Sequence, residues 1–119
     1  MDPSTGSGQR IPTAAVDGIP DPLPESLSVL DVREHDEWDA GRLEGSLHIP
    51  LRELGERFTE LPRGVQVLVV CRSGHRSAYA TSYLVDQGID AINLEGGLAA
   101  WHNAGRPLTT DDGRPGHVL

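Results

Sequence analysis

The longest run of apolar side chains, Val65-Gln66-Val67-Leu68-Val69-Val70, shows no strict alternation. That is the pattern of a central strand covered by helices on both faces rather than an edge strand with one wet side. Shorter runs flank it. Ser28–Val32 reads as a strand, followed from Glu34 to Ala40 by a short acidic-started helix closed by Gly41, with Trp38 as its core anchor. Ser46–Ile49 reads as a brief strand, after which Leu51, Leu54, Phe58 and Leu61 recur at helical spacing until Pro62 ends the segment, placing Phe58 toward the sheet. Beyond the central run, Ser77–Gln87 predicts a helix with Ala80, Tyr83 and Leu84 on one stripe and Gly88 as its cap. Ala91–Leu94 predicts another strand, and Gly96-Gly97 a tight turn into a helix around Trp101. Strand-like and helix-like segments alternate, which predicts an α/β fold on a mostly parallel sheet.

The chain has 119 residues, enough for one hydrophobic core. Its first ten residues and its last eleven are rich in Gly, Pro, Ser, Thr and Asp. We expect flexible tails at 1–10 and 109–119, mobile or loosely docked, around a domain at 11–108. Eighteen acidic against ten basic residues give a net charge of −8, which repels a phosphate backbone and speaks against nucleic acid as a partner. The N-terminal segment lacks the apolar core of a signal peptide, and no apolar run approaches the roughly 20 residues that span a bilayer. The expectation is a cytoplasmic protein with no membrane partner.

A single cysteine, Cys71, cannot form an internal disulfide, and the histidines at 35, 48, 75, 102 and 117 lack the close pairing of a zinc site, so no metal is expected. A lone cysteine is often a small buried hydrophobe, but position argues otherwise here. The segment Cys71-Arg72-Ser73-Gly74-His75-Arg76-Ser77 joins the C-terminal end of the central strand to a helix N-terminus, where open α/β sheets place their ligand sites. Backbone N–H groups of a loop wrapped around Cys71, with the helix dipole and nearby arginines, would form an anion-binding nest that favours thiolate over thiol.

That loop resembles the active-site loop of single-domain rhodaneses, whose common form is cysteine, arginine, serine, glycine, a variable residue, arginine and serine. Each fixed position is matched, and the likeness extends over about 25–108. Leu30-Asp31-Val32-Arg33-Glu34 looks like the family's aspartate–arginine signature, with Glu37-Trp38 and Gly41 continuing it. Gly45-Ser46-Leu47-His48-Ile49-Pro50 is similar to the family's next segment, and Leu94-Glu95-Gly96-Gly97, Trp101 and Gly105-Arg106-Pro107 to its closing motif. Two departures stand out. Arg42-Leu43-Glu44-Gly45 replaces the usual histidine, isoleucine, proline and glycine, which reads as a tolerant loop, and Ser73 stands where two-domain thiosulfate enzymes frequently carry lysine.

The resemblance implies a rhodanese-like sheet of about five strands with helices on both faces. It also implies a thiosulfate sulfurtransferase-like activity without cofactor. Cys71 would take sulfur from a small-molecule donor as a persulfide and pass it to a thiol, to cyanide or to a protein acceptor. Backbone N–H groups from Arg72 to Ser77 would hold the anion, so substrate contacts fall on Arg72, Ser73, Gly74, His75, Arg76 and Ser77. Asp31 and Arg33 are expected to support the loop, with Asp31 and Arg72 as an ion pair. Arg76 would either meet the donor or brace the loop from behind. His75, so close to Cys71 in a tight loop, is poorly placed as a general base and reads as a substrate contact or an exposed residue. Rhodanese-like modules that only bind or carry sulfur are the alternative from another class. A phosphatase or arsenate reductase of related fold is a third reading, but its loop has one more residue between cysteine and arginine than the four here.

Overall fold

In a computed structural model describing residues 11–119, five parallel strands form one sheet: β1 (Thr13–Ala14), β2 (Leu27–Asp31), β3 (Leu47–His48), β4 (Gln66–Val70) and β5 (Ala91–Leu94). Their order across the sheet is β1-β5-β4-β2-β3, which puts β4 at the centre. Every pairing is parallel, and the register places Asp31 beside Val70, so β2 and β4 end level with each other.

The unalternating apolar run divides its side chains between two cores. Val67 and Val69 join Leu30, Val32, Leu54, Leu61, Ala80 and Leu84 on one face, with α2 (Leu54–Arg57) and α3 (His75–Asp86). Leu68 and Val70 join Leu94, Leu98, Trp101 and Leu108 on the other, with α4 (Gly97–Asn103). These four β4 side chains are all fully buried, each worth roughly 2 kcal/mol of apolar transfer. The expected α/β sheet with helices on both faces is the observed architecture.

Several expectations differ in detail. The edge strand β1 carries too few apolar residues to announce itself; it is recruited by backbone bonds, with Asn93 N–H donating to Pro12 and Glu95 N–H to Ala14. The segment after Pro50 is not one helix but a 3-10 turn (Leu51–Glu53), the single α-turn α2 and another 3-10 turn (Phe58–Glu60). Gly55 at its middle costs about 1 kcal/mol of helix propensity. Trp38, on α1 (His35–Ala40), is half-buried rather than a core anchor, because α1 lies over the edge strand β3. Its ring stacks on His48 with centroids 4.6 Å apart, and the Arg42 guanidinium lies 4.5 Å from it.

Gly41 ends α1 with an extended φ of 163°, not a left-handed cap. Its need is space: a Cβ there would meet His117 N at 2.5 Å. The segment 109–119 makes specific contacts with the domain. Thr109 and Arg42 exchange backbone hydrogen bonds of 2.8 and 3.0 Å, His117 N–H donates to Ala40, and Val118 packs on the second core. The Arg42-Leu43-Glu44-Gly45 departure therefore carries the anchor for this segment, with Arg42 also paired to Asp111. The expected tail at 1–10 lies outside the described residues. No helix among the described residues is long and apolar enough to cross a membrane.

Candidate active site

Cys71 follows the last residue of β4, and the chain turns back through Ser73 and Gly74 into α3. The turn needs Gly74, whose φ of +101° lies in the left-handed region that a side chain disfavours. As a result the first N–H groups of α3, which have no partner inside the helix, face the sulfur. Cys71 Sγ accepts hydrogen bonds from Gly74 N–H at 3.1 Å and Ser77 N–H at 3.4 Å, and lies 3.3 Å from the Ser77 hydroxyl. Only 1% of Cys71 is exposed, whereas Arg72, Ser73 and His75 in the same loop stand in solvent.

Burial in this position raises the Cys71 pKa, as it does for any thiol losing water. The Ser77 hydroxyl, followed by the N–H groups of Ser77, Gly74 and Ser73, favours the charged form, and together they hold the thiol below its ordinary value of 9.0.

A second helix fixes the loop from the other side. Gly96 and Gly97, at φ +78° and +62°, turn β5 into α4. Leu98 N–H then donates to the Cys71 carbonyl at 2.8 Å and Ala99 N–H to the Arg72 carbonyl at 2.9 Å. The carbonyls of the loop are thus tied to α4 while its N–H groups turn to the sulfur. Gly97 permits this approach, since a Cβ there would lie 2.5 Å from the Arg72 carbonyl oxygen.

The arginines divide differently from expectation. Asp31 does not pair with Arg72. It is fully buried, and both its oxygens are taken by Arg33, also fully buried, through Nε at 3.0 and 3.1 Å and Nη2 at 2.8 Å. The geometry leaves little choice, because two residues apart at the end of β2 they form a fork-to-fork pair, while Arg72 is exposed. Arg33 Nη2 also donates to Gly41 at 2.7 Å, and His48 Nε2 meets the Arg33 carbonyl at 2.7 Å, so this pair joins β2, α1 and β3. Arg72 makes no ion pair among the described residues. His75 Nδ1 lies 3.3 Å from Ser73 Oγ, an exposed contact within the loop.

Arg76 braces the loop: its Nη1 and Nη2 meet the two oxygens of Glu37 at 2.7 and 2.8 Å, tying the start of α3 to α1. The Arg76 hydrogen bonds lower the Glu37 pKa from 4.5 to about 2, against burial, which raises it, and with help from the Glu34 N–H. Sequence reasoning did not place Glu37 or Asn93 in the site. Asn93 is a buried polar side chain in the apolar strand β5; its Oδ1 is 2.6 Å from Ser77 Oγ, and its Nδ2 donates to Gly74 O at 3.3 Å. Its signal was legible in Ala91-Ile92-Asn93-Leu94, because a polar residue in a covered strand must find a partner.

Comparison with known proteins identifies the family. The family model described as Rhodanese-like domain matches residues 16–104. A putative sulfurtransferase, YtwF, of Bacillus subtilis is 35% identical over 83 residues, covering 70% of this chain and 81% of that protein. A sulfurtransferase of Allochromatium vinosum is 34% identical over 90 residues, covering 75% and 84%. Among solved structures, a rhodanese-related protein from Thermoplasma volcanium superposes with a TM-score of 0.79 at 31% identity, covering 84% of this chain and 99% of that one. The match takes in the first core, most of the second and the cysteine loop, and this chain belongs to the rhodanese-like family.

Proposed function

We propose that this protein is a sulfurtransferase that carries sulfane sulfur on Cys71. The observation that supports the reading is the convergence of two N–H groups and one hydroxyl on Cys71 Sγ, in a loop whose carbonyls are tied away from it. Such a nest stabilises an anion on sulfur and offers no general base in contact with it, which suits a nucleophile needing only to be ionised.

In the first step the Cys71 thiolate attacks the outer sulfur of a donor. The new Sγ–S bond forms as the donor's own bond to that sulfur breaks, and the leaving group departs with its electron pair, as sulfite when the donor is thiosulfate. In the second step a thiolate or cyanide attacks the outer sulfur, the Sγ–S bond breaks, and the Cys71 thiolate is regenerated. The N–H groups of Gly74 and Ser77 hold the negative charge on Sγ in the sulfur-free form, and in the persulfide the charge lies on the outer sulfur. Exposed Arg72 draws an anionic donor toward the loop, and Ser73 and His75 complete its rim. Arg76 and the Asp31–Arg33 pair keep the loop in shape. The reading is supported by relatives named sulfurtransferases at 34–35% identity.

The test is sulfur transfer to cyanide from thiosulfate, mercaptopyruvate and glutathione persulfide, comparing wild type with Cys71→Ser. Transfer from at least one donor by wild type alone is expected. Transfer retained by the variant would overturn the mechanism.

A further inference from the structure

Ser77 Oγ stands between two acceptors, Asn93 Oδ1 at 2.6 Å and Cys71 Sγ at 3.3 Å, and a hydroxyl has one proton to give. The amide of Asn93 cannot resolve this by turning over, because its nitrogen faces the Gly74 carbonyl at 3.3 Å and reversal would set two oxygens against each other. Asn93 is 6% exposed and Ser77 fully buried, so no bulk solvent supplies a replacement partner. Whichever acceptor loses the proton goes without it.

We propose that Asn93 is a positioning residue for the nucleophile, its side-chain oxygen competing with Cys71 Sγ for the single hydroxyl proton of Ser77. With the sulfur protonated, the chain of donors runs from Cys71 S–H to Ser77 Oγ and from Ser77 O–H to Asn93 Oδ1. When Cys71 loses its proton to solvent, the Ser77 hydroxyl rotates onto the thiolate and Asn93 Oδ1 gives up its donor. When the sulfur's charge moves outward onto a bound sulfur atom, the hydroxyl returns to Asn93. Asn93 thus holds the thiol form in place and favours the state in which the inner sulfur is uncharged, which is the persulfide of the function proposed above.

The other charged groups around the loop are Arg72 and His75 within it, Arg76 on α3 with Glu37 of α1, and Asp31 with Arg33 at the end of β2. All are retained in the variants used, so they do not alter the comparison.

The experiment measures the pH midpoint of Cys71 alkylation by iodoacetamide, which reads ionisation directly and stands whether or not the protein transfers sulfur. Asn93→Leu, alike in shape and in number of side-chain heavy atoms, releases the hydroxyl to the sulfur and is expected to lower the midpoint by about 0.5–1, the worth of one net hydrogen bond. Ser77→Ala raises it by about 1, and the double variant matches Ser77→Ala to within about 0.3, since Asn93 acts only through Ser77. A residue that merely props the loop would do the reverse, because losing it loosens the nest and raises the midpoint. A raised or unchanged midpoint in Asn93→Leu would overturn the proposal. In the wild type, the Asn93 side-chain carbonyl carbon should titrate by NMR at the Cys71 midpoint, and this response should vanish in Ser77→Ala. Its persistence there would equally overturn the proposal, whether or not Asn93→Leu folds.

Discussion

Replacing Gly97 by alanine tests the claim that α4 holds the cysteine loop. The new Cβ would lie 2.5 Å from the Arg72 carbonyl oxygen and 2.6 Å from that of Cys71, where ordinary contact begins at 3.4 Å. The backbone must therefore part by about 0.9 Å, which carries the Leu98-to-Cys71 and Ala99-to-Arg72 hydrogen bonds, now 2.8 and 2.9 Å, past bonding distance. Losing two such bonds costs about 2 kcal/mol. Holding alanine at φ +62° adds about 1–2 kcal/mol, for a total of about 3–4 kcal/mol. Gly64 separates the two causes. It sits at φ +76° with nothing within 4 Å of its would-be Cβ, so Gly64→Ala should cost only the conformational part, about 1–2 kcal/mol. Urea unfolding of both variants reads the difference, and the alkylation midpoint of Cys71 should rise in Gly97→Ala alone, because the loop's N–H groups lose their aim. Equal destabilisation of the two variants, with an unmoved Cys71 midpoint in Gly97→Ala, would refute the reasoning.

The buried pair gives a second expectation: Asp31→Asn leaves the Arg33 charge without its counter-ion and should cost about 3–5 kcal/mol in urea unfolding, whereas Arg72→Ala should leave stability within about 0.5 kcal/mol. A small loss for Asp31→Asn would mean that the pair does not support the loop. The Glu37 carboxylate, held near 2 in the folded protein against 4.5 ordinarily, adds stability above pH 4.5 that is lost as pH falls toward 2. The stability difference between wild type and Glu37→Gln should therefore shrink over that interval, and a constant difference would contradict the Arg76 brace. Finally, the loop is drawn tightly around one sulfur, so hydrolysis of p-nitrophenyl phosphate should be negligible. Inserting a glycine after Gly74 should weaken sulfur transfer; brisk phosphate hydrolysis by the native chain would favour the phosphatase reading.

The apolar run 65–70 was enough to place β4 at the centre of the sheet and Cys71 at its end, because a strand covered on both faces has no polar side to show. The loop's composition likewise pointed to an anion site. What the sequence concealed were choices among partners. Asp31 faced two arginines of equal charge, and Arg33, two positions on at the end of β2, is buried against it while Arg72 turns into solvent. The Arg76–Glu37 pair was equally hidden, because only the approach of α1 brings Glu37 within bonding distance across 39 positions. The docking of 109–119 was hidden for a different reason, since its hold comes largely from backbone hydrogen bonds and from the absence of a side chain at Gly41, neither of which a hydrophobic pattern records.

The central claim is that sulfur travels on Cys71, and intact-protein mass spectrometry tests it most directly. After incubation with a sulfane-sulfur donor and removal of the excess, wild type should gain the mass of one sulfur atom and lose it on addition of cyanide, while Cys71→Ser should gain none. A wild-type chain that stays unmodified with every donor tried, or a Cys71→Ser chain that takes up sulfur and yields it to cyanide, would contradict the account.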